Sequence, residues 1–144
     1  GLIHDTAKQV KPDALMMAHT PHPYLAGVVD MIRLNDINPD EEVFSAMTRR
    51  ARVAALACPN ALIDTDNWPM TDRATWRRYT RLQPLLGVPS LYYTSHIDST
   101  GEPLEASDYA LLRETWERYR AGRAPAAPAE AVANSAPARV FEVA

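Results

Sequence analysis

The sequence predicts an α/β fold built from parallel β/α units. Four short apolar runs each end in a cluster of polar residues, and most of them are separated by segments with apolar residues at helical spacing. Apolar runs without alternation are typical of strands that are covered on both faces, as in a parallel sheet. Because amphipathic helices separate the runs, we expect crossover connections rather than hairpins.

The chain opens with a helical pattern, in which Leu2, Ile3, Thr6 and Val10 recur at helical spacing until Pro12 interrupts it. The pattern has no recognisable cap before it, so we expect the chain to be a piece of a longer protein. Two strands are predicted next, over residues 14–18 and 28–34.

The second helix is predicted from its start signal. Asn38 suits the N-cap, Pro39 the first helical position and Glu41 the third, which together form a capping box. We therefore expect this helix to begin at Asn38 and to end before Pro59. Its predicted buried stripe consists of Val43, Ala46, Met47, Ala51, Ala54 and Cys58.

The second half of the chain predicts two more strands, over residues 60–64 and 89–94, each followed by a helix. Thr71 or Asp72 can cap the first of these helices, and Gly87 can close it in a left-handed conformation. Its apolar stripe includes Trp76, Tyr79 and Leu86. The last helix is predicted from near Ser107, with Tyr109, Leu112, Trp116 and Tyr119 on one side.

The composition of the chain changes near its C-terminus. Residues 1–120 contain the predicted β/α units, whereas residues 121–144 hold 10 alanines and 3 prolines without apolar periodicity. Such a composition is typical of a linker. We therefore predict one partial domain over residues 1–120, followed by a linker or by the start of a further β domain.

Charge and composition exclude several classes of protein. Of the 144 residues, 47% are hydrophobic and 23% charged, and the net charge of −3 comes from interspersed acidic and basic residues. This balance argues against disorder and against a nucleic-acid partner. No apolar run reaches the ~20 residues of a membrane span, so we expect no membrane partner. Cys58 is the only cysteine, and the sequence leaves the cellular compartment open.

Polar side chains follow all four predicted strands. In parallel β/α folds the carboxyl ends of the strands meet at one edge, where binding and catalytic residues collect. Carboxylates accept hydrogen bonds from sugar hydroxyls, and a flat indole ring suits the apolar face of a sugar. We therefore expect a carbohydrate site formed by His19, Arg33, Asn35, Asp36, Asp64, Asp66, Trp68 and His96.

Three segments resemble a known family. His19 with Pro21, the stretch from Met31 to Ile37 and the stretch from Pro59 to Pro69 look like strands five, six and seven of the (β/α)8 barrel in the alpha-galactosidase (melibiase) clan of glycoside hydrolases. The chain would then be the C-terminal half of such a barrel.

The resemblance implies roles for the predicted site residues. Asp36 would be the acid/base that protonates the leaving group, although Arg33 and Asp36 enclose two residues where the family usually has three, which leaves Asp30 as a substitute. Arg33 would orient Asp36 or hold a sugar hydroxyl, Asp64 and Asp66 would accept sugar hydroxyls, and the nucleophile would precede Gly1. The resemblance implies no metal and no organic cofactor.

The sequence also allows other interpretations of these polar residues. Each polar strand end could simply meet solvent, and Trp68 could pack against the helix that follows it. His19 with His22, and His96 with Asp98, are possible zinc ligands, but prolines make the first pair a rigid loop, and we expect no metal site. In a different function class, the chain would be a complete non-catalytic half-barrel that pairs with itself or with another half to form a sugar-binding or scaffolding assembly. If the chain is instead a fragment of the hydrolase, its partner would be the missing N-terminal half of the barrel.

Overall fold

A computed structural model describes residues 1–34 and 41–122 of the chain, which form a mixed α/β fold with a small parallel sheet. The predicted α/β class and the parallel direction of the strands are therefore confirmed. The helices are α1 (Leu2–Val10), α2 (Val43–Ala57), α3 (Arg73–Leu86) and α4 (Ala106–Arg120), with a short 3-10 helix at Pro23–Leu25. The strands are β1 (Met17–Ala18), β2 (Met31–Arg33) and β3 (Leu62–Asp64).

The sheet has the order β1-β2-β3, and its register gives the two faces different surroundings. Ala18, Ile32 and Ile63 are aligned across the strands and pack with the buried side chains of the helices. The other face aligns Met17, Met31 and Leu62. Met31 on the central strand is buried at 8% exposure, whereas Met17 is 46% exposed and Leu62 is 50% exposed, so the second face is uncovered at its two outer strands in the described part of the chain.

Helix α2 buries the stripe that its periodicity predicts, but it begins later than expected. Its N-cap is Glu42, whose carboxylate accepts from the N–H groups of Phe44 (3.1 Å) and Ser45 (2.8 Å). An early cap at Asn38 is not needed, because this carboxylate already satisfies the free amides of the first turn. Asn38 and Pro39 themselves lie outside the described residues.

Helix α3 begins after Asp72, whose side chain accepts from the N–H of Thr75 at 2.8 Å, as predicted. Gly87 follows the helix, also as predicted, but its backbone is extended rather than left-handed. Glycine is needed for a different reason, since a Cβ atom at this position would overlap the carbonyl oxygen of Ile63 and lie 2.8 Å from its Cβ. Gly87 thus permits close contact between the end of α3 and β3.

The predicted fourth strand over residues 89–94 does not form. Val88 makes a single parallel bridge to Asp64: its N–H donates to Ile63 O (2.7 Å), and its carbonyl accepts from Thr65 N (3.1 Å). The next ladder bond would run from the N–H of Ser90 to Thr65 O, but that carbonyl accepts from the hydroxyl of Tyr79 (3.0 Å) and from Nε2 of Gln83 (2.6 Å), so the ladder stops at Val88. Residues 89–94 therefore form a loop beside the end of β3.

Helix α4 begins at Ala106, close to the prediction, but turns a different face inward. Its buried residues are Asp108, Leu111, Leu112 and Thr115, whereas Tyr109 is 42% exposed and Trp116 and Tyr119 are half-buried. The face is rotated because the carboxylate of Asp108 binds the guanidinium groups of Arg73 and Arg77 on α3. Within the described ranges, no helix is long and apolar enough to span a membrane.

Candidate functional site

The candidate site lies at the edge where β1, β2 and β3 end. His19 directly follows β1, while Arg33 and Asp64 are the last residues of β2 and β3. Arg33 and Asp64 are register partners, so their side chains leave the same face of the sheet. This is the face that Met31 and Leu62 share, of which Met31 is buried and Leu62 is 50% exposed.

Arg33 occupies the centre of the site. Its Nε donates to the carboxylate of Asp66, and its Nη1 lies 2.6 Å from Nε2 of His19. The guanidinium also lies over the ring of Tyr92, 5.0 Å from the ring centroid. Through this one side chain, β2 contacts three other segments of the chain. Two of the predicted site residues, His19 and Asp66, are therefore in contact with a third, Arg33.

The two aspartates of the Asp64-Thr65-Asp66 segment have different partners. Asp66 accepts from Arg33 and also from the N–H of Trp68 at 3.0 Å. Asp64 accepts from the hydroxyl of Ser90. Burial raises the pKa of Asp64, and the negative charge of Asp66 raises it further, against the opposing effects of Ser90 and Arg33. Asp64 consequently keeps its proton to a higher pH than an exposed aspartate does.

An aromatic wall borders the site, formed by Trp68, Tyr92, Tyr93 and His96. The centroids of Trp68 and Tyr92 are 5.7 Å apart, those of Tyr92 and Tyr93 5.0 Å, and those of Tyr93 and His96 4.5 Å. Tyr92 is 51% exposed, so part of its ring surface is accessible beside Arg33. Among the residues that the structure describes, His96 is linked to the centre of the site through the rings of Tyr93 and Tyr92.

Asn67 belongs to the polar cluster predicted after the third strand, whereas Ser90, Tyr92 and Tyr93 are site residues that the sequence pattern did not indicate. In the predicted strand over residues 89–94, Tyr92 and Tyr93 count as residues of an apolar run. In the structure these residues form a loop, which places the ring of Tyr92 beside the guanidinium of Arg33. The run itself contains no clear signal of the loop, because Pro89 is its first residue and proline is tolerated at the first position of a strand.

Two predicted residues, Asn35 and Asp36, lie outside the described residues. The substitute acid/base, Asp30, is at the wrong end of its strand. It immediately precedes β2, where its carboxylate accepts from the N–H of Met16 (2.7 Å) and pairs with Lys8 (2.8 Å). Asp30 therefore connects α1 to the amino-terminal ends of the strands, at the opposite end of the sheet from the site.

Metal ligands are not clustered in the described ranges: no group of three or more His, Cys, Asp or Glu side chains is arranged to hold an ion there. Nδ1 of His22 accepts from the N–H of Tyr24 at 3.2 Å and caps the short 3-10 helix. Cys58 is buried, with its Sγ 3.4 Å from the carbonyl oxygen of His22.

Comparison with protein-family models, with curated proteins and with solved structures finds no match to this chain. Its chemistry must therefore be argued from the site itself. The site combines one guanidinium, two buried carboxyl groups with different hydrogen-bond partners, an imidazole and exposed aromatic surface. The accessible part is the imidazole of His19 and the ring of Tyr92, which can contact a hydroxyl group and an apolar face.

Proposed function

We propose that the chain is the C-terminal half of a (β/α)8 barrel of a glycoside hydrolase acting on α-linked sugars, similar to the alpha-galactosidase clan. The observation that supports this most is the convergence of His19, Arg33, Asp64 and Asp66 at the carboxyl edge of parallel strands, which is the edge that barrel enzymes use. The linker or β domain assigned to residues 121–144 belongs to the same proposal.

The aromatic wall suits a sugar ring. Arg33 lies over one face of Tyr92, and about half of the tyrosine remains accessible. The C–H face of a pyranose packs on Tyr92 or Trp68, while a hydroxyl group contacts the exposed imidazole of His19. The carboxylates of Asp64 and Asp66, 7% and 3% exposed, lie behind this surface, where Arg33 and Ser90 hold them. The proposed substrate is therefore a carbohydrate, and the proposal includes no nucleic-acid or membrane partner.

The proposed reaction needs two carboxyl groups. Retaining glycosidases place them ~5.5 Å apart, so that one attacks the anomeric carbon and the other protonates the leaving oxygen. Asp36 is the proposed proton donor, and the nucleophile belongs to the other half of the barrel. Carboxyl chemistry of this kind requires neither a metal nor an organic cofactor.

Sugar binding tests the site. Saturation-transfer NMR of the 144-residue chain with galactose, glucose and N-acetylgalactosamine should give signals that Tyr92→Ala and Trp68→Ala reduce roughly 2- to 10-fold. Tyr24→Ala is the matched control, because Tyr24 is 88% exposed and its ring packs on His22, outside the wall. Equal signals from all three variants would remove the aromatic wall from the proposal.

Hydrolysis tests the half-barrel. The chain alone should release no nitrophenol from nitrophenyl α-galactoside above the Asp36→Asn blank, because a lone general acid supplies only ~10²- to 10⁴-fold. In a complete barrel, Asp36→Asn should lower turnover by a similar factor. Turnover by the chain alone would mean that a carboxyl group such as Asp64 replaces the external nucleophile.

A second candidate is a non-catalytic half-barrel that assembles with another copy. The exposed apolar side chains of Met17 and Leu62, on one sheet face, favour it. Exposed apolar surface of this kind and open strand edges are ordinarily covered. Sedimentation velocity distinguishes the two: a stable dimer supports self-assembly, and a monomer that aggregates supports a barrel completed by a different partner.

A further inference from the structure

The position of Tyr92 needs an explanation, because no sheet ladder holds its segment. The contact with β3 is the single bridge between Val88 and Asp64, and no ladder continues along residues 89–94. A loop held only by its ends would let the ring of Tyr92 leave Arg33 and Trp68. Side chains from outside the loop must therefore fix it.

Gln83 holds the first of two points of the loop, at Ser90. It lies on α3 and is fully buried, and its Nε2 donates to the carbonyl oxygens of Thr65 (2.6 Å) and Ser90 (2.8 Å). One amide thus joins the segment after β3 to the loop that contains Tyr92. The hydroxyl of Tyr79 also donates to Thr65 O, at 3.0 Å, which holds that end of the bridge in place.

The orientation of this amide follows from its partners. With the amide reversed, the oxygen of Gln83 would face two carbonyl oxygens, so the NH₂ group must point toward them. Oε1 is consequently buried, and within the described part of the chain it has no hydrogen-bond partner. Leaving a buried acceptor unsatisfied is unfavourable. The two hydrogen bonds donated by Nε2 offset the cost of leaving Oε1 without a partner.

Asn67 supplies the second fixed point, at Tyr92 itself. Its side chain is buried, and its Oδ1 accepts from the N–H of Tyr92 at 3.2 Å. The backbone of Tyr92 is therefore anchored to the segment that also provides Asp66 and Trp68. With Gln83 holding Ser90 and Asn67 holding Tyr92, both sides of Leu91 are fixed, and the ring of Tyr92 is directed over Arg33.

We propose that Gln83 and Asn67 are positioning residues that hold the ring of Tyr92 between Arg33 and Trp68, Gln83 acting from α3 on the far side of the sheet. Neither side chain is a ligand of the sugar. That the position of the Tyr92 ring matters for sugar binding rests on the proposed function. The position of the ring itself can be measured without any sugar.

The test uses two variants that remove a bond and conserve volume. Gln83→Met keeps the length of the side chain and loses both donors, and Asn67→Leu loses the acceptor. Nuclear Overhauser contacts between the rings of Trp68 and Tyr92 should disappear in both variants, while the amide spectrum of the helices stays dispersed. Thr80→Val is the control, because Thr80 is equally buried on α3 but its hydroxyl donates within the helix to Trp76 O at 2.8 Å.

The outcomes separate the two proposals. Ring contacts that persist in folded Gln83→Met and Asn67→Leu would overturn the positioning role. Global unfolding of both variants, or loss of the ring contacts in Thr80→Val as well, would also overturn it in favour of a purely structural role. If the unmodified chain binds no sugar and the two variants alone lose the ring contacts, the positioning role stands and the proposed function fails. Where sugar does bind, the variants should weaken it as much as Tyr92→Ala does.

Discussion

Arg33 and Asp64 are direct register partners across β2 and β3, yet Arg33 donates to Asp66, two residues further along the chain. The guanidinium therefore offsets the charge of Asp66, and Asp64 has the neutral hydroxyl of Ser90 as its partner. Two carboxyl groups of one short segment are thereby given different electrostatic surroundings. Sites that separate acid from base often do so by such an arrangement.

Ser90→Ala should raise the pKa of Asp64 further. Burial already raises this pKa above the ordinary value of 3.8, and the hydrogen bond from Ser90 is the largest opposing effect. Carbon-13 NMR titration of the Asp64 carboxyl group measures the change, with Ser95→Ala as a control, since the Ser95 hydroxyl contacts His96 instead. An unchanged or lower pKa in Ser90→Ala would contradict the assignment.

The same shift has a consequence for stability. Because the folded-state pKa of Asp64 is raised, the folded protein binds this proton more tightly than the unfolded chain does. The contribution of Asp64 to stability is therefore complete below pH 3.8 and is lost as the pH rises through the folded-state pKa. Asp64→Asn should remove that pH-dependent loss, which urea unfolding across this pH range would detect.

Arg33→Met should destabilise the fold by about 3 to 5 kcal/mol, because it leaves the carboxylate of Asp66 buried without its cationic partner. The Arg33 and Asp66 side chains are 14% and 4% exposed. Arg49→Met is the matched control, since the Arg49–Glu41 pair is at the surface and its loss should cost less than about 1 kcal/mol. Urea unfolding of both variants gives the comparison, and similar losses would refute the buried pair.

Local patterns predicted the parts of the fold that depend on local signals. The stripe of α2 and the cap at Asp72 follow from helical spacing and from one side chain near the helix start, so they could be found in the sequence. The polar cluster has a similar origin, because parallel strands bring their carboxyl ends to one edge, and His19, Arg33 and Asp66 meet there. That this cluster binds a sugar stays a prediction.

The errors arise where distant residues decide the outcome. The loop at residues 89–94 is held by Gln83 and Asn67, and a pattern within the loop contains no information about those bonds. The inward face of α4 depends on Asp108, a charged residue that hydrophobic periodicity assigns to the surface. Its burial becomes favourable only because two arginines of α3 are present.

Asp108→Asn should loosen the contact between α3 and α4. Burial alone would raise the pKa of Asp108, but the N–H of Glu105 and the nearby Arg77 and Arg73 outweigh it and lower the pKa below 3.8. Stability from this group is therefore present above pH 3.8 and is lost as the pH falls through the folded-state pKa. We expect Asp108→Asn to cost roughly 2 kcal/mol at neutral pH, where the carboxylate is charged.

Acid unfolding checks this sign. The stability difference between the unmodified chain and Asp108→Asn should shrink as the pH falls below 3.8, because the carboxyl group then becomes neutral in both states. Asp13→Asn is a suitable control, since the Asp13–Lys11 pair is exposed at the surface. A difference that stays constant with pH would indicate that the ion pairs do not join the helices.

Gly87→Ala should destabilise the fold strongly, by about 3 kcal/mol or more, because the new Cβ would overlap the backbone of Ile63. Backbone atoms of a paired strand cannot move aside as a flexible side chain can, so the end of α3 would separate from β3. Gly27→Ala is the matched control: its φ of 87° is unfavourable for alanine, but no atom lies within 4 Å of the added Cβ. That variant should lose only about 1 kcal/mol. Urea unfolding measures both losses, and tolerance of alanine at residue 87 would show that α3 and β3 do not approach as closely as described.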